Sequence, residues 1–324
     1  PEMYGEIDPL SGEWTTGVFA AIWAKYNNRN NAYNMWIIAD GPVDAIWIED
    51  LNTVLDDNKK LCLLSGEIIK MSNEMTMMFE VEDLVVASPA TVSRVGIIYM
   101  EPKGLGLDVL LQSWLQRLPP CTPLLARNKL QYLFDLYCPP AIFFLRTYLK
   151  ELAPTVDNNL AESLIRIIDC YLEPYHPAED KPAPTDVQIA DLSNCIDALF
   201  MFALVWSVGA TTNEEGRKMF DEYLRQECHA NKFAWPFPKA GMVYDYLFVM
   251  ETKKWVKWMD VIEKFDVNPK LSFSEIIVPT TDSVRNTYLL DLLLSCDKHV
   301  LMVGNTGTGK TININQYLMG MAKV

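Results

Sequence analysis

The sequence predicts an α/β module built on a parallel sheet, an all-α lobe after it, and then the start of a second α/β module with a phosphate loop. Three observations carry this expectation. Met35-Trp36-Ile37-Ile38-Ala39-Asp40 is a continuous apolar run closed by an acid, the pattern of a central parallel strand. Residues from Leu107 to Arg225 read as helices separated by proline-rich loops, without strand-like alternation. Gly304-Asn305-Thr306-Gly307-Thr308-Gly309-Lys310-Thr311 fits G-x-x-x-x-G-K-[ST], the P-loop.

The bulk composition narrows the function classes. A chain of 324 residues is a prior for two domains, and 50% hydrophobic content can bury a substantial core. A net charge of −14 argues against a nucleic-acid surface, which needs clustered Lys and Arg. No basic amphipathic helix suits an anionic membrane. The most apolar run, Ala198 to Val208, is too short to span a bilayer and reads as a core helix. The seven cysteines are scattered and form no C-x-x-C, which fits reduced intracellular thiols. His176, His229 and His299 lie far apart and suggest no metal site. Pro1 in place of Met, and a P-loop followed by only thirteen residues, make an internal segment of a larger protein the expectation.

Taken in order, residues 1–34 open with a turn at Pro9, Ser11 and Gly12. Trp14 to Tyr26 is expected as a helix with Val18, Ile22 and Trp23 on one side, and Asn27 to Asn34 as a loop. After the Met35–Asp40 strand, Pro42 to Asp57 reads as one helix. Asp44 is its N-cap, Trp47, Leu51, Val54 and Leu55 its apolar face, and Glu49, Asp50, Asp56 and Asp57 its solvated face. Lys59 to Met71 reads as a hairpin around Ser65-Gly66-Glu67, Met75 to Val81 as a strand, and Ile97 to Met100 as another. Helices are expected near 107–118, 126–150, 158–173, 187–206 and 213–228, with Pro-rich loops at 119–123, 139–140 and 174–184. Val243 to Met250 looks extended. Trp255 and Trp258 are read as packing rather than as a ligand cage. Ile276 to Thr280 is extended, Val284 to Leu294 a helix, and Val300 to Val303 a buried strand leading into the P-loop. The helix after it carries Ile314, Leu318 and Met321 on one side. The expected divisions are 1–104 as the α/β part, 105–240 as the helical lobe, 241–275 as a connector and 276–324 as the start of the next module.

Three places carry chemistry. A strand, a glycine-rich turn and a helix together aim backbone N–H groups and a helix N-terminus at a phosphate. Lys310 then reaches the β/γ-phosphates and Thr311 offers its hydroxyl to Mg²⁺. The alternative is a Gly/Thr-rich surface loop. Asp40 stands where a P-loop enzyme orders Mg²⁺, but Gly41 follows where a glutamate would polarise the attacking water. A buried strand with an exposed acid at its end reads equally well. Arg94 stands alone between two short polar turns, in Ala87-Ser88-Pro89-Ala90-Thr91-Val92-Ser93-Arg94. Its alternative is an ordinary surface arginine.

A strand ending in Asp40, an Arg94 loop, a helical lobe and a fresh P-loop follow the order of one AAA+ module running into the next. At this point the chain resembles the motor ring of a dynein heavy chain. The resembling phrases are Met3-Tyr4-Gly5, Glu13-Trp14-Thr15-Thr16-Gly17, Ala39 to Glu49, Leu51 to Lys59, Ala87 to Arg94, Trp206-Ser207-Val208-Gly209-Ala210 and Ile277-Val278-Pro279-Thr280. They look like the second module, without its own P-loop, followed by the start of the third. Leu61 to Ile69 and Val92-Ser93-Arg94 lean towards the axonemal type. Val95 departs from a frequent cysteine.

The resemblance implies an ATP-driven, minus-end-directed microtubule motor of cilia and flagella. Its cofactors would be ATP or ADP with Mg²⁺. Its partners would be other AAA+ modules of the same heavy chain, with microtubules and dynein intermediate and light chains bound through parts outside this segment. No nucleic acid or membrane partner is implied. The place would be cytoplasm, cytoskeleton and axoneme. By position, Asp40 matches a Walker-B aspartate in a module that holds nucleotide without cleaving it. Arg94 matches an arginine finger for the preceding module. Val278 and Pro279 join Gly304 to Thr311 at a regulatory third site. A non-motor scaffold, in which nucleotide only staples modules together, is the alternative that Asp40-Gly41 permits.

Overall fold

The computed structural model describes residues 2–27, 33–176, 183–262 and 276–321. They form two compact units, one ending at Tyr99 and the other beginning at Met100.

In the first unit, β1 (Gly5–Ile7) pairs antiparallel with β2 (Trp14–Thr16), and α1 (Val18–Tyr26) follows. The Trp14 to Thr16 stretch is therefore strand, not helix. α1 buries Ala20 and Trp23, while Val18 and Ile22 are exposed. The Tyr4-Gly5 and Thr16-Gly17 phrases owe their glycines to packing. A Cβ on Gly17 would sit 2.4 Å from the Gly5 nitrogen, and one on Gly5 2.4 Å from the Trp14 ring. β3 (Met35–Asp40) runs parallel to β6 (Met75–Glu80), as a βαβ crossover requires. One side of β3, with Met35 and Ile37, packs on a core of Trp23, Ile48, Leu51, Val54 and Leu61. The other side leaves Trp36 and Ile38 exposed.

The Pro42–Asp57 stretch is two helices, α2 (Ala45–Asp50) and α3 (Asn52–Leu55). Asp44 caps the first, accepting from the Ile46 N–H at 2.8 Å. The axis breaks at Leu51, which lets Ile48, Leu51 and Val54 all reach the core. β4 (Lys60–Cys62) and β5 (Ile68–Lys70) make the hairpin. α4 (Pro89–Val92) is capped by Ser88. Ile97 to Met100 is not a strand. Its side chains are exposed and no described strand lies alongside, so its backbone has no ladder to join. The loop expected at Asn27 to Asn34 lies mostly outside the described residues.

The second unit is a helical lobe: α5 (Pro102–Arg117), α6 (Leu124–Tyr148), α7 (Asp157–Leu172), α8 (Asp186–Ser207) and α9 (Glu214–Ala230). Gly106 breaks α5 with φ 68°, so its regular part begins at Leu107. α6 runs unbroken through Pro139 and Pro140. Two N–H donors are lost there, yet Tyr137, Cys138, Ala141 and Ile142 are buried around the prolines and hold the helix. Arg127 of α6 ties the end of α5, donating to the Leu115 and Pro119 carbonyls at 2.8 and 2.9 Å. Asp186–Thr211 is long and apolar enough to cross a membrane, contrary to the length argument from residues 198–208. It is nonetheless the central core helix, with every residue from Cys195 to Ser207 buried.

Gly209, from the Trp206–Ala210 phrase, closes this lobe. A Cβ there would meet the Phe220 ring at 2.6 Å, and its carbonyl accepts from Tyr244 Oη at 2.7 Å. β7 (Tyr246–Val249) and β8 (Lys254–Lys257) form a hairpin packed on the same core, followed by α10 (Trp258–Val261). Trp258 is buried and donates to the Tyr244 carbonyl at 2.8 Å; Trp255 donates to the Trp235 carbonyl. Both are packing residues. α11 (Thr281–Leu294) and α12 (Lys310–Met321) complete the unit.

Candidate functional site: a P-loop and an arginine latch

The P-loop is assembled at the N-terminus of α12. Gly307 and Gly309 have φ of 84° and 80°, a region open to glycine and costly for other residues. Nothing lies within 4 Å of a Cβ built on either, so the loop has open space on that side. Lys310 curls back over the loop. Its Nζ donates to the Gly304 and Asn305 carbonyls, both at 2.6 Å, and Thr308 Oγ1 donates to the Asn305 carbonyl at 2.8 Å. The ammonium is thus held at the loop by neutral acceptors, with no carboxylate among its partners in the described residues. Thr311, in the first turn of α12, is exposed.

The expected strand Val300 to Val303 is not formed. Leu301 and Val303 are exposed, and no described strand runs beside them. α12 also turns a different face inward. Asn313 and Tyr317 are buried, while Ile314, Leu318 and Met321 are exposed. Burial, and then Asp291 of α11, push the Tyr317 hydroxyl up. An apolar stripe marks the face that will be buried only where something exists to bury it. Val278, 59% exposed, and the half-buried Pro279 precede α11, whose N-cap is Thr280. No hydrogen bond or ion pair among the described residues joins them to the P-loop.

Asp40 and Arg94 lie in the first unit. Asp40 ends β3 directly opposite Glu80, which ends β6, so two carboxylates stand side by side at the C-terminal edge of the parallel pair. Glu80 was invisible in the sequence because register, not spacing, brings it there. The backbone between Asp40 and Gly41 is fixed by the Gly41 N–H, which donates to the Glu80 carbonyl at 3.2 Å. Arg94 is not an unattached surface arginine. Its Nε is ion-paired with Asp56 at the end of α3, and Nη1 reaches Asn52 Oδ1 at 3.5 Å. Asn52 also accepts from Thr91 Oγ1 at 3.0 Å, and Thr91 is in turn bonded to Ser88. Asp56, read from the sequence as part of a solvated face, is thus the counter-ion of Arg94. Neither partner was legible beforehand, because they lie 38 and 42 residues upstream. Among the described residues no group of three His, Cys, Asp or Glu could hold a metal by itself.

Two family models match this chain. The model of the dynein heavy chain AAA lid domain matches residues 130–260, and that of the P-loop containing dynein motor region matches residues 265–324. Over 334 aligned positions the chain is 42% identical to dynein axonemal heavy chain 1 of Mus musculus, covering 98% of this chain. This chain belongs to the dynein heavy-chain family. It is also 38% identical to dynein axonemal heavy chain 12 of Rattus norvegicus and 35% identical to dynein axonemal heavy chain 3 of Mus musculus. The aligned region spans 8% to 11% of the length of these relatives. The fold is AAA+ in kind, with an α/β part on a small parallel sheet and a helical lobe. P-loops of this dynein motor family bind nucleotide with Mg²⁺. The residues here fit such a ligand: an open glycine loop, a lysine at its mouth and a threonine hydroxyl at the helix start.

Proposed function

We propose that this chain is a segment of an axonemal dynein heavy chain, an ATP-driven, minus-end-directed microtubule motor of the cilium or flagellum. One observation carries the reading: the likeness to axonemal heavy chains extends over 98% of the chain and ends on an intact P-loop. Residues 1–104 act as the α/β part of a second AAA+ module, 105–240 as its helical lobe and 241–275 as a connector. Residues 276–324 open the third module.

In this reading Asp40 belongs to a site that holds nucleotide, and Gly41 denies it the glutamate that would activate water. Arg94 is supplied to the preceding module, where a guanidinium stabilises charge on the transferring phosphoryl group. Lys310, Thr311 and the loop from Gly304 to Gly309 bind ATP or ADP with Mg²⁺ at a regulatory third site, beside Val278 and Pro279. The partners are the other modules of the same chain, with microtubules and the intermediate and light chains bound elsewhere on it.

The test is the full heavy chain in a microtubule-gliding assay with ATP. Gliding, together with turnover stimulated by microtubules, is the expected result. Nucleotide binding with neither would leave the non-motor scaffold as the better account.

A further inference from the structure

α7 and α11 lie side by side in the second unit, and the Tyr171 and Tyr288 hydroxyls meet across them at 3.1 Å. One residue before Tyr171 is Cys170. Just past the end of α11 is Cys296, and its position is tightly fixed. Asp297 takes φ of 54°, the Lys298 N–H donates to the Leu293 carbonyl at 2.9 Å, and the Asp297 N–H donates to the Leu294 carbonyl at 3.1 Å. This pair of bonds is a Schellman closure with a non-glycine residue in the left-handed position. It makes Cys296 the last residue of the helical spiral and aims its side chain at α7. Cys296 Sγ lies 3.9 Å from the Cys170 carbonyl oxygen, which brings the thiol of one helix end against the cysteine of the other helix. Both are reduced. Cys121, by contrast, directs its thiol at the Tyr175 carbonyl.

We propose that Cys170 and Cys296 are an oxidative modification site, closing to a reversible disulfide when a hydroperoxide reaches the seam between α7 and α11. A cleft of about 260 Å³ is lined by Asp169 and Asp297, the sequence neighbours of the two cysteines, with Arg117, Arg166 and Lys298 balanced by Glu162 and with apolar Leu110 and Ile165. It brings a small oxidant as far as the residues next to both cysteines. Cys296 is half-buried and reacts first; burial holds the Cys170 thiol up at about 12, although Lys298 pulls it down.

The Cys296 thiolate attacks one peroxide oxygen, the O–O bond breaks, and hydroxide leaves. Its sulfenic acid then condenses with the Cys170 thiol, forming the S–S bond and releasing water. In sum two thiols and one hydrogen peroxide give one disulfide and two waters. Both sulfurs are oxidised and both peroxide oxygens reduced. The bond would join segments 126 residues apart and fix the turn that leads into the P-loop. It stands on the geometry of this seam and does not depend on the motor reading.

The experiment treats the full heavy chain with hydrogen peroxide under native conditions, blocks remaining thiols by alkylation, and digests without reductant before mass spectrometry. A Cys170–Cys296 linked peptide, two hydrogens lighter than its parts and lost after dithiothreitol, is the expected result. Cys296→Ser should remove it, and Cys138→Ser, a buried thiol of α6, should leave it unchanged. Recovery of Cys170 as a free thiol, whether Cys296 is then unmodified, singly oxidised or joined elsewhere, overturns the proposal.

Discussion

Replacing Arg94 by alanine separates a structural arginine from a catalytic one, because the two roles differ by several kcal/mol. The Arg94 and Asp56 side chains are 30% and 40% exposed. An ion pair so open to water contributes about 0.5–1 kcal/mol to stability. Arg94→Ala should therefore lower the unfolding free energy by no more than ~1 kcal/mol, small against a typical 5–15 kcal/mol. A trans arginine finger is worth roughly 10³–10⁵ in phosphoryl-transfer rate. At about 1.36 kcal/mol per tenfold, that is ~4–7 kcal/mol of transition-state stabilisation. The assay is microtubule-stimulated ATP turnover of the full heavy chain beside its urea unfolding curve. Arg94→Ala should abolish most turnover with the fold intact. Asp56→Asn breaks the same pair but keeps the guanidinium, so its turnover should stay within about fivefold of the parent, near the ceiling a ~1 kcal/mol pair sets. Near-normal turnover in Arg94→Ala, or equal losses in both variants, would refute the finger assignment.

Lys310→Ala removes the charged donor at the P-loop, and nucleotide affinity at that site should fall roughly ten- to a hundredfold by titration with a fluorescent ATP analogue. The 324-residue chain by itself should show no ATP turnover, since Gly41 follows Asp40 where a glutamate would activate water; turnover abolished by Lys310→Ala would contradict this. Phe202 is 1% exposed in α8, with Tyr171, Trp206, Trp258 and Tyr288 ring centroids 6.1–6.4 Å away. Phe202→Ala should cost about 3–5 kcal/mol in denaturant unfolding of the helical lobe. Burial raises the Cys228 thiol and the Tyr223 hydroxyl each to about 12. Their neutral forms stabilise the fold fully below the unfolded values, near 9 and 10. That contribution is lost as pH rises towards 12, because the unfolded chain then binds fewer protons. The denaturation midpoint, measured in reductant, should fall between pH 9 and 12; an unchanged midpoint would count against buried, neutral groups.

The P-loop was legible because its chemistry is contiguous: eight residues specify the turn, the cation and the hydroxyl without help from the rest of the chain. The long helices were legible for a related reason. α7 carries its own buried stripe of Leu160, Leu164, Ile165, Ile168 and Leu172, so its period survives in the sequence. Even Pro139 and Pro140 mislead only locally, because neighbouring buried residues hold α6 together.

What the sequence hid is whatever depends on a partner distant along the chain. Ile97 to Met100 and Val300 to Val303 are as apolar as any strand, but a strand is a pairing, and neither finds a described neighbour. Glu80 joins Asp40 only through the parallel register, and Asp56 joins Arg94 only after α2 and α3 have folded. The same logic bears on function. Holding Arg94 by a half-exposed carboxylate costs little to undo. Its release therefore needs only a modestly better anion, and a phosphoryl group carrying developing negative charge in a drier site is one. A buried, fully satisfied ion pair would have trapped the guanidinium, because removing it would strand a charge at several kcal/mol. On the proposed reading, the weakness of the Arg94–Asp56 pair is what would suit this arginine to serve a neighbouring module.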